Sequence, residues 1–192
     1  RQRTDGYMVH TQSHKDFVNI AADFQPNDKQ TINAYFGYSS SYDARGGEFT
    51  LSQYANFDYT GNPEYIKRNA HSEIISFRAG MGHTYNFNNH FSNTTTVFAS
   101  GVTNNASSAA GWTDKNPINY GFRSTLDTKF DLQNGVSLSG ITGIESQRQN
   151  AQIIGYNMVA NPADVNAYWI IGAMKSNQST ITGTTSVFTE WT

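Results

Sequence analysis

The chain has 192 residues, a net charge of -2 at pH 7 and no cysteine. This length suits one domain, the near-neutral charge gives no electrostatic reason to expect nucleic acid, and disulfides and thiolate metal sites are excluded. Mean hydropathy is -0.57 and no long apolar run occurs, which excludes transmembrane helices but leaves open a transmembrane barrel, whose strands alternate apolar and polar residues. Helix formers are scarce while Thr, Asn, Gly, Tyr and Phe are abundant, so the composition favours an all-β protein.

Alternating apolar and polar residues predict an antiparallel meander of about eight long strands. In chain order these strands lie near residues 6–11, 16–24, 31–38, 73–87, 91–102, 120–132, 136–146 and 178–192. The clearest pair is the hairpin at residues 120–145, where Asn134 and Gly135 supply the two positive-φ positions of a tight type I′ turn.

The arms of this hairpin are amphipathic and unusually long. On the first arm the even positions include Tyr120, Phe122 and Leu126, whereas the odd positions include Arg123 and Lys129. A strand of a soluble protein has about 5–6 residues, while a tilted strand needs about 9–11 residues to cross a bilayer. The pattern therefore predicts part of a transmembrane β-barrel, with the apolar face towards lipid and the polar face towards the lumen. We accordingly expect Phe122→Lys to impair insertion and Thr125→Lys to be tolerated.

The predicted connections alternate between short and long. Residues 25–30, 88–90 and 133–135 form short connections, and residues 39–70, 104–119 and 157–177 form long ones. A barrel with short turns at one rim and long loops at the other is typical of outer membranes. The loop lengths therefore indicate two rims that face different compartments.

One stretch resembles a known family. In residues 28–63 an apparent strand enters a loop with a glycine, an aromatic-Thr-x-x-Gln-Tyr run and an Asn-Pro pair, at Gly47, Phe49, Thr50, Gln53, Tyr54, Asn62 and Pro63. This run resembles the barrel of TonB-dependent outer-membrane receptors, the siderophore and ferric-chelate transporters. The turn at Asn27, Asp28 and Lys29 is similar to the periplasmic turns of that family.

The resemblance implies that residues 1–192 are a segment of a larger transmembrane barrel domain, because such receptors close with about 22 strands around a plugged lumen. The plug domain is not recognisable in these residues, and neither is a signal peptide, so we expect a piece of a longer chain. The implied function is TonB-dependent uptake of a ferric siderophore or similar nutrient across the bacterial outer membrane. The implied partners are outer-membrane lipid, the ferric ligand and TonB, the last reached through the missing plug.

No catalytic or cofactor motif is recognisable, so we predict neither an enzyme nor a bound cofactor. Candidate ligand-binding residues are aromatic side chains of the long loops, which could stack on a ligand, and two arginines of the polar face, which could pass an anionic chelate: Tyr54, Tyr59, Tyr65, Trp112, Arg78 and Arg123. Loop packing, interfacial anchoring of the aromatic rings, lumen solvation and plug contact are the competing interpretations.

Two other functional classes stay open. A self-contained small outer-membrane barrel could act in adhesion or envelope stability. A soluble β-sandwich could bind carbohydrate through tyrosine and tryptophan side chains. The two membrane hypotheses predict extraction only with detergent, whereas the sandwich predicts a protein soluble in plain buffer.

Overall fold

The computed structural model describes residues 1–132 and 135–192. Within this part of the chain nine strands pair antiparallel in one sheet, which confirms the all-β meander. The elements are β1 (Gln2–Thr4), β2 (Ser13–Asn27), β3 (Gln30–Ala44), α1 (Leu51–Ala55), α2 (Pro63–Lys67), β4 (His71–Asn86), β5 (Phe91–Ser108), β6 (Gly111–Lys115), β7 (Ile118–Asp131), β8 (Ser137–Val159) and β9 (Ile170–Trp191). None of the helices in the described ranges is long and apolar enough to cross a membrane.

Strands β6 and β7 are two halves of one position in the sheet. Both lie between β5 and β8, β6 towards one end and β7 towards the other. The break falls at Asn116 and Pro117, where proline has no N–H to offer the ladder. Backbone bonds from Val102 N to Pro117 O, 3.0 Å, and from Asn116 N to Gln152 O, 2.9 Å, keep the two halves aligned. The nine segments therefore act as an eight-position meander.

Strand register sorts the side chains by polarity. Ile20, Phe36, Ala79, Ala99 and Tyr120 are directly opposite one another across β2 to β7, so they share one face. We call this the apolar face, and its larger members are Val18, Ile20, Phe24, Ile32, Phe36, Tyr38, Ile75, Phe77, Met81, Val97, Tyr120, Phe122, Leu126, Ile144, Ile181 and Val187. The opposite surface, the polar face, carries Lys15, Asn19, Arg78, Arg123, Asp127, Lys129 and Glu145. The predicted alternation is confirmed for most large apolar side chains, while Phe17, Ile74, Phe98 and Phe188 lie on the polar face.

The apolar face is not covered by a second layer of the described chain. Ile20 is 59% exposed and Val187 is 75% exposed, although both lie among apolar neighbours. A β-sandwich buries such a face against another sheet, and the described residues form a single sheet. An uncovered apolar face does not fit a β-sandwich. It fits the wall of a barrel whose outer face contacts an apolar medium.

The polar face is the concave one. Three cavities open on it, with volumes of about 810, 410 and 340 Å³. The largest lies near the short turns and includes Asp127 and Lys129 in its wall, while the second includes Arg78. A sheet that curves around its polar side matches the predicted lumen.

The two rims of the sheet differ as predicted, with changes in extent. One rim carries the two-residue turn between β2 and β3 and the segment 87–90; the predicted turn at Asn134 lies outside the described residues. The other rim, the loop rim, carries residues 5–12, 45–70 and 160–169. The predicted loops 39–70 and 157–177 are therefore shorter than expected, since β3, β8 and β9 extend into them.

Two predicted elements are wrong. Residues 6–11 are not a strand: Gly6 and His10 have φ of 76° and 62°, which break the extended chain, and the strand before them is the short β1. Residues 104–119 are not a loop, because β5 and β6 continue as a hairpin that pairs Ser108 with Gly111. Gly111 has φ of 128°, a conformation that glycine adopts freely.

Aromatic rings lie over glycines on the neighbouring strand. Phe77 faces Gly101 on the apolar side of β4 and β5, and Trp191 faces Gly140 on β9 and β8. A Cβ atom at Gly101 would come within 2.4 Å of the Phe77 ring, and one at Gly140 within 2.4 Å of the Trp191 ring. These rings therefore fill the space that the missing side chains leave.

Candidate functional site at the loop rim

The longest connection forms a compact lobe. Its outer stem is closed by Arg45 N donating to Ala70 O at 2.8 Å, and its neck by Asn62 N donating to Gly46 O at 2.6 Å. Residues 47–61 above the neck, which we call the lobe, contain α1. Both ends of the lobe are glycines with positive φ, 82° at Gly47 and 79° at Gly61, where a side chain would be strained.

Four of the seven residues that carry the family resemblance form the starts of the two short helices. Thr50 Oγ1 accepts from Gln53 N at 3.1 Å while Gln53 Oε1 accepts from Thr50 N at 3.0 Å, which is a capping box at α1. Asn62 Oδ1 accepts from Glu64 N at 3.0 Å, and Pro63 occupies the first position of α2. The resemblance at these positions is therefore explained by the local conformation of the loop and does not identify ligand contacts.

The three predicted loop tyrosines lie in different surroundings. The Tyr59 ring is 6.0 Å from both Tyr7 and Phe49, edge to face, and so packs within the loops. Tyr65 donates to Glu48 Oε1 at 2.9 Å, and this hydrogen bond raises the pKa of Tyr65. Tyr54 on α1 is 69% exposed. Of the three, Tyr54 is the ring that the lobe offers to solvent.

A set of contacts joins the loops to each other, and we call it the loop clasp. Arg68, which is ion-paired with Glu64, lies over the Trp169 ring with 4.2 Å between the guanidinium carbon and the ring centroid. Trp169 N donates to Lys67 O at 2.8 Å, and Ser107 Oγ donates to Arg68 O at 2.6 Å. The clasp ties loop 45–70 to loop 160–169 and to the end of β5.

His10 connects the first loop to the other two. Its Nε2 is 3.0 Å from Ala70 O, and its ring is 6.2 Å from the Tyr168 ring. Burial lowers the pKa of His10, against the opposing effect of the Ala70 carbonyl. Loops 5–12, 45–70 and 160–169 therefore meet at one junction.

Trp112 is part of the sheet, not of a loop as predicted. It lies on β6, donates from Nε1 to Asp114 Oδ1 at 2.7 Å, and contacts His71 with 5.6 Å between ring centroids. His71 stacks on Tyr42, which stacks on His14, at 5.0 and 5.6 Å. The result is a row of rings across β2, β3, β4 and β6 on the apolar side, close to the loop rim.

The two predicted arginines share the polar face but not a site. Arg123 Nε is 4.0 Å from Glu145 Oε2, and its guanidinium lies 4.9 Å from the Phe188 ring centroid. Arg78 instead lines the 410 Å³ cavity together with Lys15. Sequence reasoning missed Lys15 because the predicted strand began at residue 16, whereas β2 begins at Ser13.

Comparison with known proteins gives structural matches without sequence matches. No family model matches the chain, and no curated protein matches its sequence. The fold is similar to P. aeruginosa FpvA in complex with a heterologous ferric pyoverdine, with a TM-score of 0.77 and 10% identity over 98% of this chain. It is also similar to the unliganded ferric citrate transporter FecA, with a TM-score of 0.70 and 11% identity over 96% of this chain.

These matches concern one part of each larger protein. The chain spans 29% of the length of FpvA and 28% of FecA. The predicted likeness to a segment of a TonB-dependent receptor barrel is confirmed at the level of the fold. At 10% and 11% identity the similarity concerns backbone architecture, and the roles of individual side chains have to come from the chemistry of this chain.

Proposed function

We propose that this chain is a segment of a larger outer-membrane barrel that takes up a ferric siderophore or similar bulky nutrient in a TonB-dependent manner. One observation carries the proposal: a single curved sheet with an uncovered apolar outer face, a polar inner face and all its long loops at one rim has the backbone of a receptor barrel wall. Energy coupling would come from the plug region and TonB, outside these residues.

The distribution of charge supports a membrane location. Among the described residues of β2 to β5 and β7 to β8, the apolar face carries charged side chains at Asp16 and Glu73, towards the loop rim, and at Arg148, in the middle of β8 opposite Tyr120. Between the level of Arg148 and the short turns this face holds apolar, hydroxyl, amide and imidazole side chains. Lys or Arg at the bilayer midplane costs about 2–4 kcal/mol, so the absence of such residues from this band favours contact with lipid.

The lobe supports a role for the loops in ligand capture. Its neck is closed by backbone bonds, while α1 exposes apolar and aromatic side chains at its surface: Leu51 is 85% exposed and Tyr54 is 69% exposed. Exposed apolar groups on a loop held by a rigid scaffold are typical of binding surfaces. Tyr54 is therefore the strongest of the predicted aromatic ligand contacts, ahead of Tyr59 and Tyr65, whose rings are already engaged.

The test is removal of the lobe from the full-length protein. Because Asn62 N and Gly46 O are already in contact, residues 48–60 can be replaced by a Gly-Ser link without moving β3 or β4. We expect normal recovery in the outer-membrane fraction and a loss of uptake across a panel of radiolabelled ferric siderophores. Glycine replacements at Ala109 and Ala110, at the same rim, serve as the control. Unchanged uptake after lobe removal, with the control also unchanged, would exclude the lobe from capture.

A further inference from the structure

A cleft on the polar face has two cations in its lining, which come from β2 and β4 and lie four residues apart along the intervening β3. The cavity of about 410 Å³ spans β2, β3 and β4, and the side chains that matter are Lys15, Asn19, Tyr35, Ser39, Ser76 and Arg78. We call it the cationic cleft. No carboxylate belongs to its lining.

The two cations of the cleft are uncompensated within the described residues. Lys15 and Arg78 are both exposed, and neither has an ion-pair partner in the part of the chain that the structure describes. Asp43 lines the adjoining cavity, which Lys15 also borders, and accepts a hydrogen bond from Ser13 Oγ at 2.6 Å. Arg123 on the same face is different, because it has Glu145 as partner. The cleft thus carries two cations and no carboxylate in its lining.

Neutral polar groups line the cleft between the cations. The hydroxyls of Ser39 and Ser76 are 2.9 Å apart, and either can turn its proton towards a ligand. The Tyr35 hydroxyl donates to Asn19 Oδ1 at 3.0 Å, which fixes the amide so that Nδ2 remains a donor. Gly37 lies between them, and the Tyr35 hydroxyl occupies the space over it, since a Cβ there would come within 2.6 Å of that hydroxyl. Donors therefore surround a space of ligand size.

We propose that the cationic cleft binds the oxyanion group, carboxylate or phosphate, of a diffusible ligand. Arg78 offers a planar fork of donors that suits a carboxylate or phosphate, and Lys15 adds a second mobile charge. The proposal rests on the proposed function only in that the anion would be part of the transported ligand. Binding of an anion in the cleft does not itself require transport. It replaces the expected pair of Arg78 and Arg123 by the pair of Arg78 and Lys15.

The experiment measures anion binding to the full-length protein in detergent micelles by titration calorimetry at constant ionic strength. Citrate and inorganic phosphate are titrated separately, which distinguishes the two oxyanions. Loss of one charge-assisted contact weakens binding about tenfold or more. We expect Lys15→Gln and Arg78→Gln each to weaken binding by about that factor and the double variant to abolish it. Arg78→Lys should restore part of the affinity lost in Arg78→Gln. Lys129→Gln, on the same face beside another cavity, should bind as the parent does.

Two outcomes overturn the proposal. The first is a parent protein that binds neither citrate nor phosphate. Lys15 and Arg78 would then pair with acidic side chains from elsewhere in the full-length protein. The second is a double variant that binds as tightly as the parent, or an equal loss in Lys129→Gln, which would mean diffuse attraction by the whole lumen. Uptake assays are independent of this readout. Anion binding without uptake of any ferric siderophore would refute the proposed function and leave the cleft assignment standing.

Discussion

Placing a charge on the apolar face at Phe122 tests the membrane orientation of the sheet. Phe122 faces Val97 on β5 and Ser146 on β8 and is 40% exposed. The apolar positions of β7 run from Ile118 to Phe130, a path of roughly 40 Å at about 3.4 Å per residue. At a tilt of about 45° this path spans close to 30 Å of bilayer, the thickness of the hydrocarbon core. Ser124 is at the middle of this path, and Phe122 lies two residues from it, within about 5 Å of the midplane.

The expected effect of Phe122→Lys follows from that depth. Lysine at the midplane costs about 2–4 kcal/mol, and each 1.4 kcal/mol changes an equilibrium about tenfold, so folding into lipid should weaken roughly 30- to 700-fold. The measurement is a urea titration of the full-length protein folded into liposomes, read from the gel shift of heated and unheated samples.

The matched control is Gln147→Lys. Gln147 is exposed on the polar face opposite Gly121, next to the partner of Phe122, and the change should stay within about 0.5 kcal/mol. Gln147 is a better control than Thr125, which was expected to tolerate lysine but is 8% exposed. Equal losses in both variants, or none in either, would refute the assignment of the two faces.

Three further predictions concern the loops and the sheet. Asn62→Ala should cost about 1 kcal/mol at α2 by removing its cap, seen as faster hydrogen exchange there, while Asn62→Asp should keep protection. Gly140→Val should displace the Trp191 ring and change its fluorescence with a loss of about 1–3 kcal/mol, whereas Gly183→Val, with its nearest neighbour 4.0 Å away, should not. Because burial lowers the pKa of His10, its neutral form favours the closed loop junction; exchange at the junction should therefore rise as the pH falls below about 6.5, and His10→Gln should remove this dependence. A pH response that survives in His10→Gln would assign it to another group.

The middle band of the sheet was predictable from sequence because its two faces differ in polarity, so apolar and polar residues alternate along each strand. Beyond that band the alternation fades although the strands continue. β3 runs through Ser39, Ser40 and Ser41 to Ala44, held by backbone pairing with β4 to the last residue. Near the loop rim both faces meet water or loop atoms, so pairing imposes no pattern on the side chains. Strand ends there were consequently underestimated.

The site was harder to predict because it depends on contacts between distant segments. The pattern of Gly6 to Thr11 alternates like a strand, but nothing local reveals that His10 turns with positive φ towards the Ala70 carbonyl. Arg78 and Arg123 were grouped because both lie on the polar face. The structure separates the two arginines because each has a different neighbour. Glu145 lies beside Arg123, and Lys15 lines the same cavity as Arg78; both neighbours come from other strands and are brought near only by strand register.

The pairing of rings with glycines bears on how the strands find their correct alignment. A slip of one residue would turn every apolar side chain to the wrong face, so polarity alone rejects it. A slip of two residues leaves every side chain on its original face, so the polarity of the faces does not disfavour it. It would, however, move Trp191 from Gly140 to Leu138 or Thr142, and Phe77 from Gly101 to Ala99 or Thr103, where side chains occupy the space each ring needs. The contacts between rings and glycines therefore favour the native strand register over registers shifted by two residues, which the polarity of the two faces does not distinguish.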